Sequence, residues 1–161
     1  MSKFRTEEDS IGKIDVPADV YWGAQTQRSI QNFAIGHETM PIDFIYAYAQ
    51  LKQAYAEANH KVGLLDKKQH KAISDACNAI LNGELDDQFP LKIWQTGSGT
   101  QTNMNLNEVI TNHANEKANH EKGYKAFIHP NDHVNAGQSS NDTFPATMHL
   151  AITKKLVDEL L

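Results

Sequence analysis

The stretch Thr96-Gly97-Ser98-Gly99-Thr100-Gln101-Thr102-Asn103-Met104-Asn105-Leu106-Asn107-Glu108-Val109-Ile110-Thr111-Asn112-His113-Ala114 decides how this sequence folds. Its first part is a polar loop with two glycines, and the remainder has helical periodicity. Leu106, Val109, Ile110, His113 and Ala114 share one side of a helix expected from about Asn103 to Lys122, with Gly123 ending it. Asparagine, a poor helix former, stands at positions 103, 105, 107, 112, 115 and 119 of this segment. Either tertiary contacts support the helix, or its first asparagines line a polar site; Asn103 and Asn107, four apart, share a face.

Working outward, a helical pattern begins at Pro41, a residue suited to a first helical position, and continues through Ile45, Tyr48, Ala49, Tyr55 and Val62 to Gly63. Asp66 can cap the next helix, which carries Ile73, Ala76, Cys77 and Ile80 and stops at Gly83. Residues 84–102 read as loop, anchored by Phe89-Pro90-Leu91 and Ile93-Trp94. Residues 3–20 read as short extended segments, with Ile14 and Val16 alternating with charged residues and Gly12 at a turn. Ala24 to Asn32 makes two helical turns. Residues 124–140 are loop, and a further helix begins between Asn141 and Pro145. The fold class is therefore mainly α with a small β element near the N-terminus.

In that last helix Met148, Leu150, Ala151, Ile152, Leu156, Val157, Leu160 and Leu161 spread over more than one face. A helix apolar on several sides is buried by several partners. With no capping residue before Leu161, we expect it to be the first part of a longer helix, and expect its apolar faces to seek partners.

Length and composition suit one globular domain: 161 residues, 40% of them hydrophobic. Fifteen basic against twenty acidic residues give a formal charge of −5, which argues against a nucleic-acid surface. An anionic ligand must then be held by local donors. The single cysteine, Cys77, excludes an internal disulfide and reads as a small packing residue. No apolar run approaches membrane-spanning length, and the acidic N-terminus has no signal-peptide core, so we expect a cytoplasmic protein without a membrane partner.

Three polar loops carry the chemistry. In the first, Ser98, Thr100 and Thr102 offer hydroxyls and the following helix offers free N–H groups, a combination that binds anions. It lacks the lysine and glycine spacing of a nucleotide-binding P-loop, and a plain capped loop is the competing reading. The second, His129-Pro130-Asn131-Asp132-His133-Val134-Asn135, sets an imidazole beside amide donors; its two histidines lack further local ligands for a metal. The third, Gln138-Ser139-Ser140-Asn141-Asp142, stands at a helix start, where Ser140, Asn141 or Asp142 would equally serve as an ordinary N-cap. Together they suit a small carboxylate.

At these loops a resemblance becomes specific. Gly97 to Asn105, continuing through Asn107-Glu108-Val109, resembles the first signature region of the class II fumarate hydratases, members of the fumarase/aspartase superfamily. His129-Pro130-Asn131-Asp132 and Gln138-Ser139-Ser140-Asn141-Asp142 resemble the next two. Trp22-Gly23-Ala24-Gln25-Thr26-Gln27-Arg28 and Trp94-Gln95-Thr96 resemble flanking segments. Aspartases share the general pattern but differ at the positions of Ser98, Gln101, His129 and Ser140.

The resemblance implies reversible hydration of fumarate to (S)-malate by a homotetramer, without metal or organic cofactor. Removing a proton beside a carboxylate loads charge onto it, and preorganised donors commonly stabilise such charge by about 3 kcal/mol each. By position, Ser98, Gly99, Thr100, Ser139, Ser140 and Asn141 would bind substrate. His129, Pro130, Asn131 and Asp132 would form a second dicarboxylate site; where some members carry arginine three residues before His129, this sequence has Ala126 beside Lys125. The resemblance places the catalytic histidine, the proton-abstracting serine and a substrate-binding lysine beyond this sequence, so no catalytic residue is assigned within it, neither His133 nor His149, and the chain alone is expected to be inactive. It implies residues 1–140 as an N-terminal lyase domain and 141–161 as the start of a central helical bundle. The alternatives are an aspartase-like ammonia-lyase and a non-catalytic helical module for carboxylate binding or oligomerisation.

Overall fold

The structure is a computed structural model and describes residues 3–159 and 161. Strands β1 (Phe4–Asp9) and β2 (Gly12–Pro17) pair antiparallel, from Phe4 opposite Pro17 to Asp9 opposite Gly12. Asp9 closes this hairpin by accepting the N–H groups of Ile11 and Gly12. Five α-helices follow: α1 (Ala24–Asn32), α2 (Ile42–Lys61), α3 (Lys67–Leu81), α4 (Thr100–Lys117) and α5 (Ser140–Glu159). The mainly α class with a small N-terminal β element is what the sequence led us to expect.

Helix α4 is the axis. Every side chain from Asn105 to Asn115 is buried, because α1, α3, α5 and a π-helical turn (Pro130–Val134) all pack against it. Leu106, Val109, Ile110 and Ala114 meet Ile45, Tyr48 and Ala49 of α2 and Ile73, Ala76, Cys77 and Ile80 of α3 in one core. The asparagines that weaken α4 locally are held by tertiary bonds. Asn105 donates to the Gln88 carbonyl, and Asn112 donates to Tyr21 and accepts from Gly123. Asn115 bridges the Tyr124 and Ile128 backbones. Asn103 instead joins a buried polar network with Tyr48 and Asn135.

Several boundaries differ from expectation. Helix α4 starts three residues early, at Thr100, and stops at Lys117 rather than Lys122. Its stop is Asn119, in the left-handed conformation at φ 63. The N–H groups of Asn119 and His120 close the end on the Glu116 and Asn115 carbonyls. The same bond pair ends α2 at Gly63 and α3 at Gly83, as the glycines suggested. An alanine pays the left-handed penalty that asparagine partly escapes, so Asn119→Ala is expected to lower stability by about 1 kcal/mol, read from the urea midpoint. Pro41 sits just before α2, Val62 is exposed, and α2 continues its buried stripe through Lys52, Ala56 and Asn59. Phe89 and Leu91 are anchors, but Trp94 lies mostly exposed against Gly36. Helix α3 carries the Asp66 cap, in a reciprocal capping box with Gln69.

On α5 the exposed residues include Met148, Leu150, Ile152, Leu156 and Val157, while Thr143 and Thr147 are buried. No helix among the described residues is long and apolar enough to cross a membrane.

Candidate functional site

The first and third polar loops meet. Ser98 Oγ shares a 3.0 Å hydrogen bond with Thr100 Oγ1, which shares another of 3.0 Å with Ser140 Oγ. Three hydroxyls from the starts of α4 and α5 thus form one string. At the head of α4, Gln95 Oε1 accepts the N–H and hydroxyl of Thr102. The N–H groups of Thr100 and Gln101 meet no acceptor among the described residues. Hydroxyls beside unfilled helix N–H groups are suited to a carboxylate.

Gly99 begins α4 in the left-handed conformation, φ 68, and a Cβ there would lie 2.0 Å from the Phe144 ring. The close approach thus serves the packing of α5 on α4. Gly97 has open space around its Cβ position. Ser139 and Asn141 stay within their own turn: Asn141 N–H donates to Ser139 Oγ, and both side chains face solvent.

The second loop makes no hydrogen bond to the hydroxyl string among the described residues. His129 Nδ1 accepts the N–H groups of Asn131 and Asp132 at 3.3 and 3.1 Å, with Asp132 Oδ2 3.2 Å away. Burial lowers the His129 pKa despite Asp132, favouring the neutral ring with its proton on Nε2. His133 Nδ1 accepts the His129 N–H, so His133 shapes the loop. Pro130 is buried, and Asn131 and Asp132 are exposed. His129, Pro130 and Asn131 share a cleft of about 410 Å³ with Thr100, Thr111 and Lys125. Its wall also carries three carboxylates, each already engaged: Glu7 by Arg5, Asp9 by Arg28, and Glu108 by the head of α1. Lys125 donates to the Glu8 carbonyl, while the buried Thr111 hydroxyl has no partner among the described residues.

Between these loops lies a group the sequence reading passed over. Lys52, 1% exposed, donates from Nζ to Asn103 Oδ1 (2.7 Å), Asn135 Oδ1 (2.9 Å) and Gln138 Oε1 (2.8 Å). Tyr48 Oη donates to Asn103 Oδ1 at 2.8 Å and shares a bond with Thr143. Burial raises the Tyr48 pKa and lowers that of Lys52 to about 7. The signal was present: lysine falls on the buried stripe of α2, three residues after Ala49 and four before Ala56.

A second omission is Glu108. Gly23, at the head of α1, has no side chain to cap it, and Glu108 reaches over from α4 to accept the N–H groups of Gly23, Gln25 and Thr26 and the Thr26 hydroxyl. Burial pushes its carboxyl up while these donors pull it down.

Residues 12–161 match the Lyase_1 family, described as a lyase, and the chain belongs to that family. Its sequence is 58% identical to the class II fumarate hydratase of Thermosynechococcus vestitus, over 98% of this chain and 34% of the relative. It is 55% identical to class II fumarate hydratase 2 of Bradyrhizobium diazoefficiens, over 98% of this chain and 33% of the relative. The crystal structure of the class II fumarase of Schistosoma mansoni superposes with a TM-score of 0.91 at 47% identity, over 95% of this chain and 32% of that one. The cobalt-bound fumarate lyase:delta crystallin of Brucella melitensis gives 0.93 at 40%, over 96% and 34%. The chain spans about a third of the length of the curated relatives it matches.

Proposed function

We propose that this chain supplies the substrate-carboxylate-binding loops of a fumarate hydratase, which reversibly adds water to fumarate to give (S)-malate. The observation that carries the reading is the hydroxyl string Ser98–Thr100–Ser140, set beside unfilled N–H groups at the head of α4. Ser98, Gly99, Thr100, Ser139, Ser140 and Asn141 are its proposed contacts. His129, Pro130, Asn131 and Asp132 form a proposed second dicarboxylate site, supported by a neutral imidazole at a polar cleft. We assign residues 1–140 to the N-terminal lyase domain and 141–161 to a helical bundle of a homotetramer. The exposed apolar residues on α5 support that assembly. The proton-transfer groups lie outside these 161 residues, so the chain binds without turnover.

Titration of the 161-residue chain with fumarate, followed by amide NMR, tests this. Shifts are expected at residues 98–102 and 139–141, with no fumarate loss by ultraviolet absorbance. Thr100→Val is expected to weaken binding about tenfold, the usual worth of one lost hydrogen bond. Absence of shifts would overturn the binding role, and turnover by the chain alone would overturn the placement of the proton-transfer groups.

A further inference from the structure

The buried ammonium of Lys52 has a geometry that core filling does not require. Methionine at this position would satisfy the buried stripe of α2 without the several kcal/mol that desolvating an ammonium typically costs. Among the described residues no carboxylate offsets that cost; three neutral amide oxygens do. An ammonium has three N–H bonds, and here each has its own acceptor at 2.7–2.9 Å.

The acceptors come from two segments, the start of α4 and the turn from Asn135 to Gln138 that joins the second loop to the third. Asn103 lies three residues after Thr100. Asn135 directly follows the π-helical turn Pro130–Val134. Gln138 directly precedes Ser139. Each amide is turned toward Lys52 by a bond on its other side. Asn103 Nδ2 donates to Asn135 Oδ1, Asn135 Nδ2 to the Gln138 carbonyl, and Gln138 Nε2 to the Val134 carbonyl. Moving the first loop against that turn therefore breaks a bond that water cannot replace at so buried a group.

We infer that Lys52 is a positioning residue that fixes the first polar loop against the joined second and third loops through the side-chain carbonyls of Asn103, Asn135 and Gln138. Its role in ligand binding rests on the dicarboxylate reading above. The titratable groups around it are Tyr48 on α2 and Cys77 on α3. The facing groups from α4, the π-helical turn and the approach to α5 are neutral amides and the Thr143 hydroxyl, while Asp142 is turned to Tyr55. Loss of a proton from Lys52 leaves a lone pair facing one of the three carbonyls, and burial brings that event close to neutral pH.

The test uses the 161-residue chain with succinate, a dicarboxylate that cannot be hydrated. Lys52→Met is expected to keep the helical circular dichroism, to lower hydrogen-exchange protection at the bonded amides of Gly99, Thr102, Asn103 and Asn141, and to weaken succinate binding about tenfold, as small misplacements of binding groups do. Wild-type affinity is expected to fall as the pH rises through about 7, where Lys52 loses its proton, and the fall is absent in the variant. If the variant does not fold, the wild type decides alone: the side-chain amide signals of Asn103, Asn135 and Gln138 must shift together with one midpoint. Separate midpoints, unchanged exchange in the variant, or wild-type affinity in the variant would overturn the inference. If the wild type binds no succinate, the dicarboxylate reading fails, and exchange and amide signals still judge the positioning role.

Discussion

Gly99→Ala is expected to lower stability by roughly 3 kcal/mol, the sum of the left-handed backbone penalty and the overpacking of a filled site. The new methyl would lie 2.0 Å from the Phe144 ring, and that ring cannot simply swing away. It packs 4.9 Å from Phe44 and 6.5 Å from Tyr48, centroid to centroid. Relief must come from α5 moving off α4, which pulls Ser140 away from Thr100 and opens the hydroxyl string. The substitution thus strikes fold and site together: the urea midpoint falls, and fumarate-induced shifts at residues 98–102 fall with it. A stability loss below about 1 kcal/mol would show that α5 is not held where Gly99 places it.

Glu108→Ala is the second large effect, expected at roughly 3 kcal/mol because several buried donors lose their acceptor at once. The N–H groups of Gly23, Gln25 and Thr26 and the Thr26 hydroxyl all end on this carboxylate. Glu7 takes only the Ala24 N–H and cannot stand in for it. Glu108→Gln keeps the volume but turns an NH₂ onto N–H groups, so it is expected to lose nearly as much. Hydrogen exchange along α1 reads the result site by site: protection should collapse from Gln27 to Asn32 in both variants, while α3 exchanges as before. Intact protection of α1 in Glu108→Ala would show that another group caps it.

What the sequence made legible follows from what periodicity and local chemistry can report. The apolar phase of α3 showed which face is buried, and Asp66 announced a helix start because a cap is a contact between near neighbours. Trp94 was misread because a large aromatic signals burial only on average. The α4 stop was misplaced because the left-handed role fell to Asn119 while a glycine stood nearby at Gly123. At the site, the three loops and their hydroxyls were readable as donors. Their meeting was not, since Thr100 and Ser140 are forty residues apart and nothing local in either encodes the other. Glu108 escaped for the same reason, and while the phase of α2 marks Lys52 as buried, its acceptors are brought in only by the tertiary fold.

The cap of α1 also has a history in time. The head of that helix is satisfied by a residue 85 positions later in the chain. A ribosome builds α1 early and Glu108 much later, and a nine-residue helix is marginal in water by itself. During synthesis α1 therefore has sequence but no finished first turn until α4 has emerged and docked, so the N-terminal end of the chain is among the last parts of the domain to settle.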